Sequence, residues 1–185
     1  MLVAAGTYSP STNSEVFPIE MASGIHLIGS GEDVSIIDAQ QTDRVITMED
    51  CDNNIISDLT ITGGRRISSY PAKGGGMYLY VSDPTLTNVT ITGNTAMLDG
   101  GGMYLNQSNP TQTNVTISGN TATVDGGGVY LNSSEPQLPR CRLCPGLTWQ
   151  SRPAGLPARH LQRNRNRDWF CHHHIFPWVY RASCS

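Results

Sequence analysis

From residue 59 onward, apolar residues come in pairs separated by one other residue: Leu59 and Ile61, Met77 and Leu79, Val89 and Ile91, Met103 and Leu105, Val115 and Ile117, Val129 and Leu131. A period of two belongs to a strand with one buried face, not to a helix. The stretches between the pairs are Gly, Asn, Asp, Ser and Pro, which form turns. The pattern also recurs. Gly74-Gly75-Gly76-Met77-Tyr78-Leu79 returns as Gly100-Gly101-Gly102-Met103-Tyr104-Leu105 and as Gly126-Gly127-Gly128-Val129-Tyr130-Leu131, each 26 residues on. Thr87-Asn88-Val89-Thr90-Ile91-Thr92-Gly93-Asn94-Thr95-Ala96 returns at 113–122 with Ser118 for Thr92. Asp83-Pro84, Asn109-Pro110 and Glu135-Pro136 keep the same step, and a degenerate copy lies at Asp58–Gly64.

Repeats of this length mean a solenoid or an array. Strand periodicity excludes the helical kinds, and a propeller blade needs about 40 residues or more. Each coil is expected to hold about three short strands joined by turns, with coils stacked at about 4.8 Å, the spacing of hydrogen-bonded strands. The inward rows are then Leu59/Val89/Val115, Ile61/Ile91/Ile117, Met77/Met103/Val129 and Leu79/Leu105/Leu131. Asn94 and Asn120 form a structural amide ladder at a turn.

Towards the N-terminus, 3–8, 24–29, 35–38 and 45–48 are strand candidates in less regular coils. Val3-Ala4-Ala5-Gly6-Thr7-Tyr8, Ile25-His26-Leu27-Ile28-Gly29-Ser30-Gly31 and Ile36-Ile37-Asp38-Ala39 resemble the opening coils of pectate-lyase-like right-handed β-helix proteins. The Gly-Gly-Gly-Met-Tyr-Leu and Gly-Asn-Thr-Ala repeats resemble those of polymorphic outer-membrane proteins and related bacterial surface proteins. The resemblance covers residues 2–138. It implies an all-β, right-handed parallel β-helix, a fold that carries both enzymes and inert stalks. Solenoids need capped ends, and neither end of the repeat shows a cap here. The expectation is therefore a fragment with open ends.

Charge divides the chain in two. Residues 1–138 carry 14 acidic residues against Arg44, Arg65, Arg66 and Lys73, whereas 139–185 carry Asp168 against eight Arg. The second segment also holds four of the five Cys, four of the five His and all three Trp. Two segments so different rarely share one structural plan. The expected division is a β-helix over 1–138 and a basic tail over 139–185. The repeat breaks in mid-motif after Leu138, where Thr-Asn-Val-Thr should follow. A reading-frame shift would do this, so the tail is read as out-of-frame and largely unstructured. Two other readings of it are weighed. Cys141-x-x-Cys144 with Cys171 supplies zinc ligands, but adjacent Cys171-His172-His173-His174 side chains converge poorly on one ion. The Arg-rich run 159–167 suggests a nucleic-acid arm; the balance of the sequence favours no nucleic-acid partner.

Enzymes of the resembled class have sites that can be sought. The lyases use clustered acidic calcium ligands with an Arg base. Here the body offers only Arg44 and the pair Arg65-Arg66, read as part of a turn after Gly64. The Asn-Thr-Asp, Asp-Asp and Gly-His-Gly signatures of the galacturonan hydrolases do not occur. Asp50 and Asp52 flank Cys51 in a loop-like context and make a poor carboxylate pair for glycoside hydrolysis. Cys51 has no His near it in sequence and is read as a small apolar residue. No catalytic residue is therefore assigned.

Three binding features remain. Tyr78, Tyr104 and Tyr130 alternate with inward residues, so they should form an outward row. If exposed, such a row suits stacking against sugar rings, although stacked aromatics also stabilise ladders unaided. Asp99 and Asp125 occupy one position in adjacent coils and could share a calcium ion. Asp-Gly is also simply a good turn, and Lys73 at the preceding rung could pair with Asp99 instead. The Thr-x-Thr rows at 60/62, 90/92 and 116/118 are read as solvent-face strand residues, an ice-binding array being the remote alternative. No cofactor is assigned, calcium being the one to test.

No run of about 20 apolar residues is present to span a bilayer, and no signal peptide is visible. The expected protein is a non-catalytic, extracellular or cell-surface β-helix, adhesin-like or carbohydrate-contacting. Its expected partners are a polysaccharide or cell-surface glycan and, through open strand edges, another copy end to end. The alternative is a piece of a polysaccharide lyase or glycoside hydrolase whose catalytic coils lie elsewhere.

Overall fold

A computed structural model describes residues 1–67 and 70–137 with their side chains, and beyond them only the backbone of strands within 138–143, 148–152 and 179–183. In chain order the elements are β1 (Gly6–Tyr8), α1 (Pro10–Asn13), β2 (Ile19–Met21), β3 (Leu27–Ile28), β4 (Ser35–Asp38) and β5 (Ile46–Glu49). Then come β6 (Ile55–Thr62), β7 (Arg65–Arg66), β8 (Met77–Tyr80), β9 (Thr85–Thr92), β10 (Thr95–Ala96), β11 (Met103–Asn106), β12 (Thr111–Ser118), β13 (Thr121–Ala122), β14 (Val129–Asn132) and β15 (Gln137–Leu143). The backbone strands Thr148–Arg152 and Val179–Ser183 pair antiparallel, and the second also lies antiparallel to β14.

These strands wind into a parallel β-solenoid of about five coils. One sheet runs β1-β4-β6-β9-β12-β15, with β3 also against β6; a second runs β14-β11-β8-β5-β2; a short third runs β13-β10-β7. Register follows the repeat: Met77 pairs with Met103 and Met103 with Val129; Val89 pairs with Val115; Ile91 pairs with Ile117. All four expected inward rows are buried, most at 0% exposure. Arg65 and Arg66, expected in a turn, instead form β7 and pair with Thr95 and Ala96.

A fifth inward row, Ile56/Leu86/Gln112, breaks the period of two. Leu86 and Val89 are three residues apart and both fully buried. The intervening Asn88 has φ 52°, like Asn114, and Asp58 has φ 57°. One left-handed residue turns the strand through a corner and reverses which parity faces inward. Asn tolerates that conformation better than most residues. At the Gly triplets, the first Gly is left-handed (Gly74 φ 65°, Gly100 φ 66°, Gly126 φ 62°). The second sits so close to the coils around it that a Cβ on Gly101 would meet the carbonyl oxygens of Thr121 and Gly127.

Polar ladders complete the stack. Asn94, fully buried, accepts from Gly64 N–H at 2.8 Å and donates to the carbonyls of Ile61 and Thr92. Asn94 N–H donates in turn to Asn120 Oδ1 at 3.0 Å. Cys51, Ser82, Ser108 and Ser134 form a second buried row: each of the first three donates its N–H to the next hydroxyl at 3.0 Å. Cys51, expected as a small apolar residue, lies in the core at 3% exposure with Sγ against the Met21 and Glu49 carbonyls.

Candidate functional site

The second sheet turns Tyr78, Tyr104 and Tyr130 away from the apolar core in strict register. Their rings stack almost parallel, with centroids 5.5 Å apart between Tyr78 and Tyr104 and 5.2 Å between Tyr104 and Tyr130. The expected outward row therefore exists, but two of its three rings are covered. Tyr78 and Tyr104 are 8% and 3% exposed, and Tyr130 is half-buried.

Two cations close the row. The Arg44 guanidinium lies 4.5 Å from the Tyr78 ring centroid, and the Lys73 ammonium 4.6 Å from that of Tyr104. Lys73 Nζ also donates to the Tyr104 hydroxyl at 3.1 Å and pairs with Asp99 at 3.3 Å. Arg44 is buried and donates to the carbonyls of Pro71 and Lys73 at 3.1 and 2.6 Å. Arg66, one coil on, holds both oxygens of Asp43 at 2.6 and 2.8 Å. The chain leading into the first Gly triplet is thus tied down beside the tyrosines.

The electrostatics follow from this burial. Desolvation, then repulsion from Arg66, pulls the Arg44 guanidinium down to about 10. Burial opposes the charge on Lys73, but the Tyr104 hydroxyl bond and the nearby Tyr104 and Asp99 charges outweigh it and hold the ammonium above its usual value. Burial and then the Glu49 charge raise the Tyr78 phenol. Cations over aromatic faces contribute about 0.5–2 kcal/mol each, depending on desolvation. A sugar ring needs an open aromatic face, and at Tyr78 and Tyr104 neighbouring rings and cations occupy those faces. This cluster is a clamp within the solenoid.

The remaining candidates are placed as follows. Asp99 and Asp125 do lie on adjacent rungs, bridged in parallel, with Asp99 buried against Lys73. Among the described residues no group of three or more His, Cys, Asp and Glu could hold a metal ion. Cys141, Cys144 and Cys171 fall outside the residues whose side chains are described, as does the whole of the expected tail. Asp50 and Asp52 are exposed on either side of buried Cys51. No helix among the described residues is long and apolar enough to cross a membrane.

On the opposite sheet the hydroxyl rows are in register: Thr60, Thr90 and Thr116 pair in succession, as do Thr92 and Ser118. Thr60 and Thr90 hydroxyls bond to the carbonyl and carboxylate of Glu32, at 2.7 and 3.1 Å. At the corner, Asn114 Nδ2 donates to Asn88 Oδ1 at 3.1 Å, and Asn88 Nδ2 to Asp58 Oδ1 at 2.7 Å. The sequence did not mark Arg44 as part of any site, because it lies in an irregular coil with no repeat partner.

Comparison with known proteins gives one result. A family model described as "Right handed beta helix region" matches residues 11–143. No curated protein and no solved structure matches the chain.

Proposed function

The chain belongs to the right-handed β-helix family, and we propose that it serves as a non-catalytic extracellular or cell-surface scaffold, adhesin-like, that meets glycans through the outward face of its first sheet. The supporting observation is the composition of that face. Thr62, Thr92 and Ser118 stand beside Thr116, Asn88 and Asn114 as stacked, part-exposed hydroxyls and amides. Stacked coils place such groups about 4.8 Å apart. A polar array of this kind, running along the sheet to its corner, offers donors and acceptors to hydroxylated ligands. Tyr78 and Tyr104, closed over by Arg44 and Lys73, contribute little to this contact surface.

The test is to incubate the chain with a panel of polyuronates and neutral polysaccharides and follow two readouts, retention of the chain by the polymer and polymer length. Retention without shortening, weakened by Thr92→Val with Thr116→Val, is the expected result. Shortening of a polymer would overturn the reading and favour a lyase or hydrolase. Absence of any retention would remove glycan contact.

A further inference from the structure

The exposed amide ladders carry a second chemistry. Asn88-Val89-Thr90, Asn106-Gln107-Ser108, Asn114-Val115-Thr116 and Asn132-Ser133-Ser134 each have the form Asn-x-Ser/Thr, with x other than Pro, that accepts an N-linked glycan. The buried ladder residues Asn94 and Asn120 are followed by Thr-Ala and lack it. We propose that Asn114 is an N-glycosylation acceptor and that the folded solenoid accommodates the glycan there.

Structure separates the four sequons. Ser108 and Ser134 are 0% and 2% exposed, donating to the Asn106 and Asn132 carbonyls and accepting backbone N–H groups from the preceding coil. Their hydroxyls are built into the interior, and Asn132 Nδ2 is tied to Asn106 Oδ1 at 3.0 Å. Thr90 and Thr116 are part-exposed on the outer face. Of their two Asn residues, Asn88 is half-buried between Asp58 and Asn114, and Thr90 is engaged by Glu32. Asn114 is exposed, at a left-handed corner with φ 52°.

Its ladder bond tolerates the modification. Asn114 spends one Nδ2–H on Asn88 Oδ1, and an N-glycosylated amide keeps one N–H. In the reaction Nδ2 attacks the anomeric carbon of a lipid-linked glycosyl diphosphate. The C–N bond forms, the bond from that carbon to the diphosphate oxygen breaks, one amide proton departs, and the lipid diphosphate leaves. Asn88 lies one coil away, so steric bulk admits one glycan on the pair.

The test is secretion of the full chain behind a cleavable leader in cells with an oligosaccharyltransferase, with intact mass and peptide mass before and after amidase release. One glycan on Asn114 is expected. It should vanish in Asn114→Gln and Thr116→Ala and persist in Thr116→Ser. Each secreted variant is checked for protease resistance, so that loss of fold is not read as loss of the acceptor. A folded, secreted wild-type chain without glycan, or with its glycan on Asn88, Asn106 or Asn132 instead, overturns the proposal. The result does not depend on glycan contact by the hydroxyl face.

Discussion

Replacing Asn94 by Ala tests whether the buried amide ladder holds adjacent coils together. Asn94 is fully buried, and its Oδ1 is the 2.8 Å partner of the buried Gly64 N–H. Its Nδ2 reaches the Ile61 and Thr92 carbonyls at 3.1 and 3.0 Å. Truncation strands one buried donor, at about 1–3 kcal/mol, and removes two further hydrogen bonds worth about 1 kcal/mol each. The sum is about 4 kcal/mol, a large share of the 5–15 kcal/mol typical of a folded domain. With an m-value of about 2 kcal/mol/M, the urea midpoint should fall by about 2 M. Far-UV circular dichroism through a urea titration reads this directly. The control is Asn114→Gly, which keeps left-handed freedom and loses only an exposed bond; it should move the midpoint by less than about 0.3 M, taking exposed changes at about 0.5 kcal/mol. A shift below about 0.5 M for Asn94→Ala, or an equal shift for the control, would refute the ladder argument.

Three further outcomes are expected. Val81 is a β-branched residue at φ 46° and 40% exposed, on the turn position that Gln107 and Ser133 fill one and two coils later; Val81→Asn should stabilise by about 1 kcal/mol, seen as a higher melting temperature, because Asn enters the left-handed region at lower cost. Gly101→Ala drives a Cβ into two backbone carbonyls and should abolish soluble folded protein, whereas Gly119→Ala, whose nearest neighbour is Thr92 Oγ1 at 3.3 Å, should cost only about 1–2 kcal/mol for its φ of 60°; equal yields and melting points would contradict this. Lys73 is held above its usual value when folded, so its contribution is complete below the unfolded value of about 10.4 and fades as pH rises through the folded one; the stability gap between wild type and Lys73→Met should stay flat to about pH 10 and then narrow, and a gap that widens in alkali would show the sign to be wrong.

The regular coils were legible because a step of 26 residues puts like on like, and stacking then leaves the inward rows no freedom. Ile56/Leu86/Gln112 escaped because parity was carried straight through Asp58, Asn88 and Asn114, whose left-handed backbone reverses it. The helical turn α1 and strand β2 lie where no repeat constrains the reading. α1 is held by Ser9 and Thr12, each side chain capping the other's backbone N–H. The tyrosines teach a different point. Alternation correctly turns them away from the core, but outward from a sheet is not the same as exposed. Gly74 follows Arg66 by eight positions, where Gly100 follows Ala96 by four. That longer connection carries Lys73 over Tyr104 and offers the Pro71 and Lys73 carbonyls to Arg44. The cover over the row thus comes from places where the repeat departs from its period, this connection and the irregular coil of Arg44.

The same stacking explains how an acidic chain tolerates its charge. At about 4.8 Å a carboxylate directly above another is repelled, so a row of identical Asp residues would work against the solenoid. The rows interleave amides instead. Asp58 Oδ1 accepts from Asn88, and Asn88 Oδ1 from Asn114. Asp83 Oδ1 accepts the Asn109 N–H, and Asn109 Oδ1 the Glu135 N–H. Asp99 and Asp125 are the pair that stacks like on like, and there Lys73 occupies the adjoining rung and bonds to Asp99. The cation that makes the row uneven in sequence thus offsets the charge of Asp99 on the rung beside Asp125.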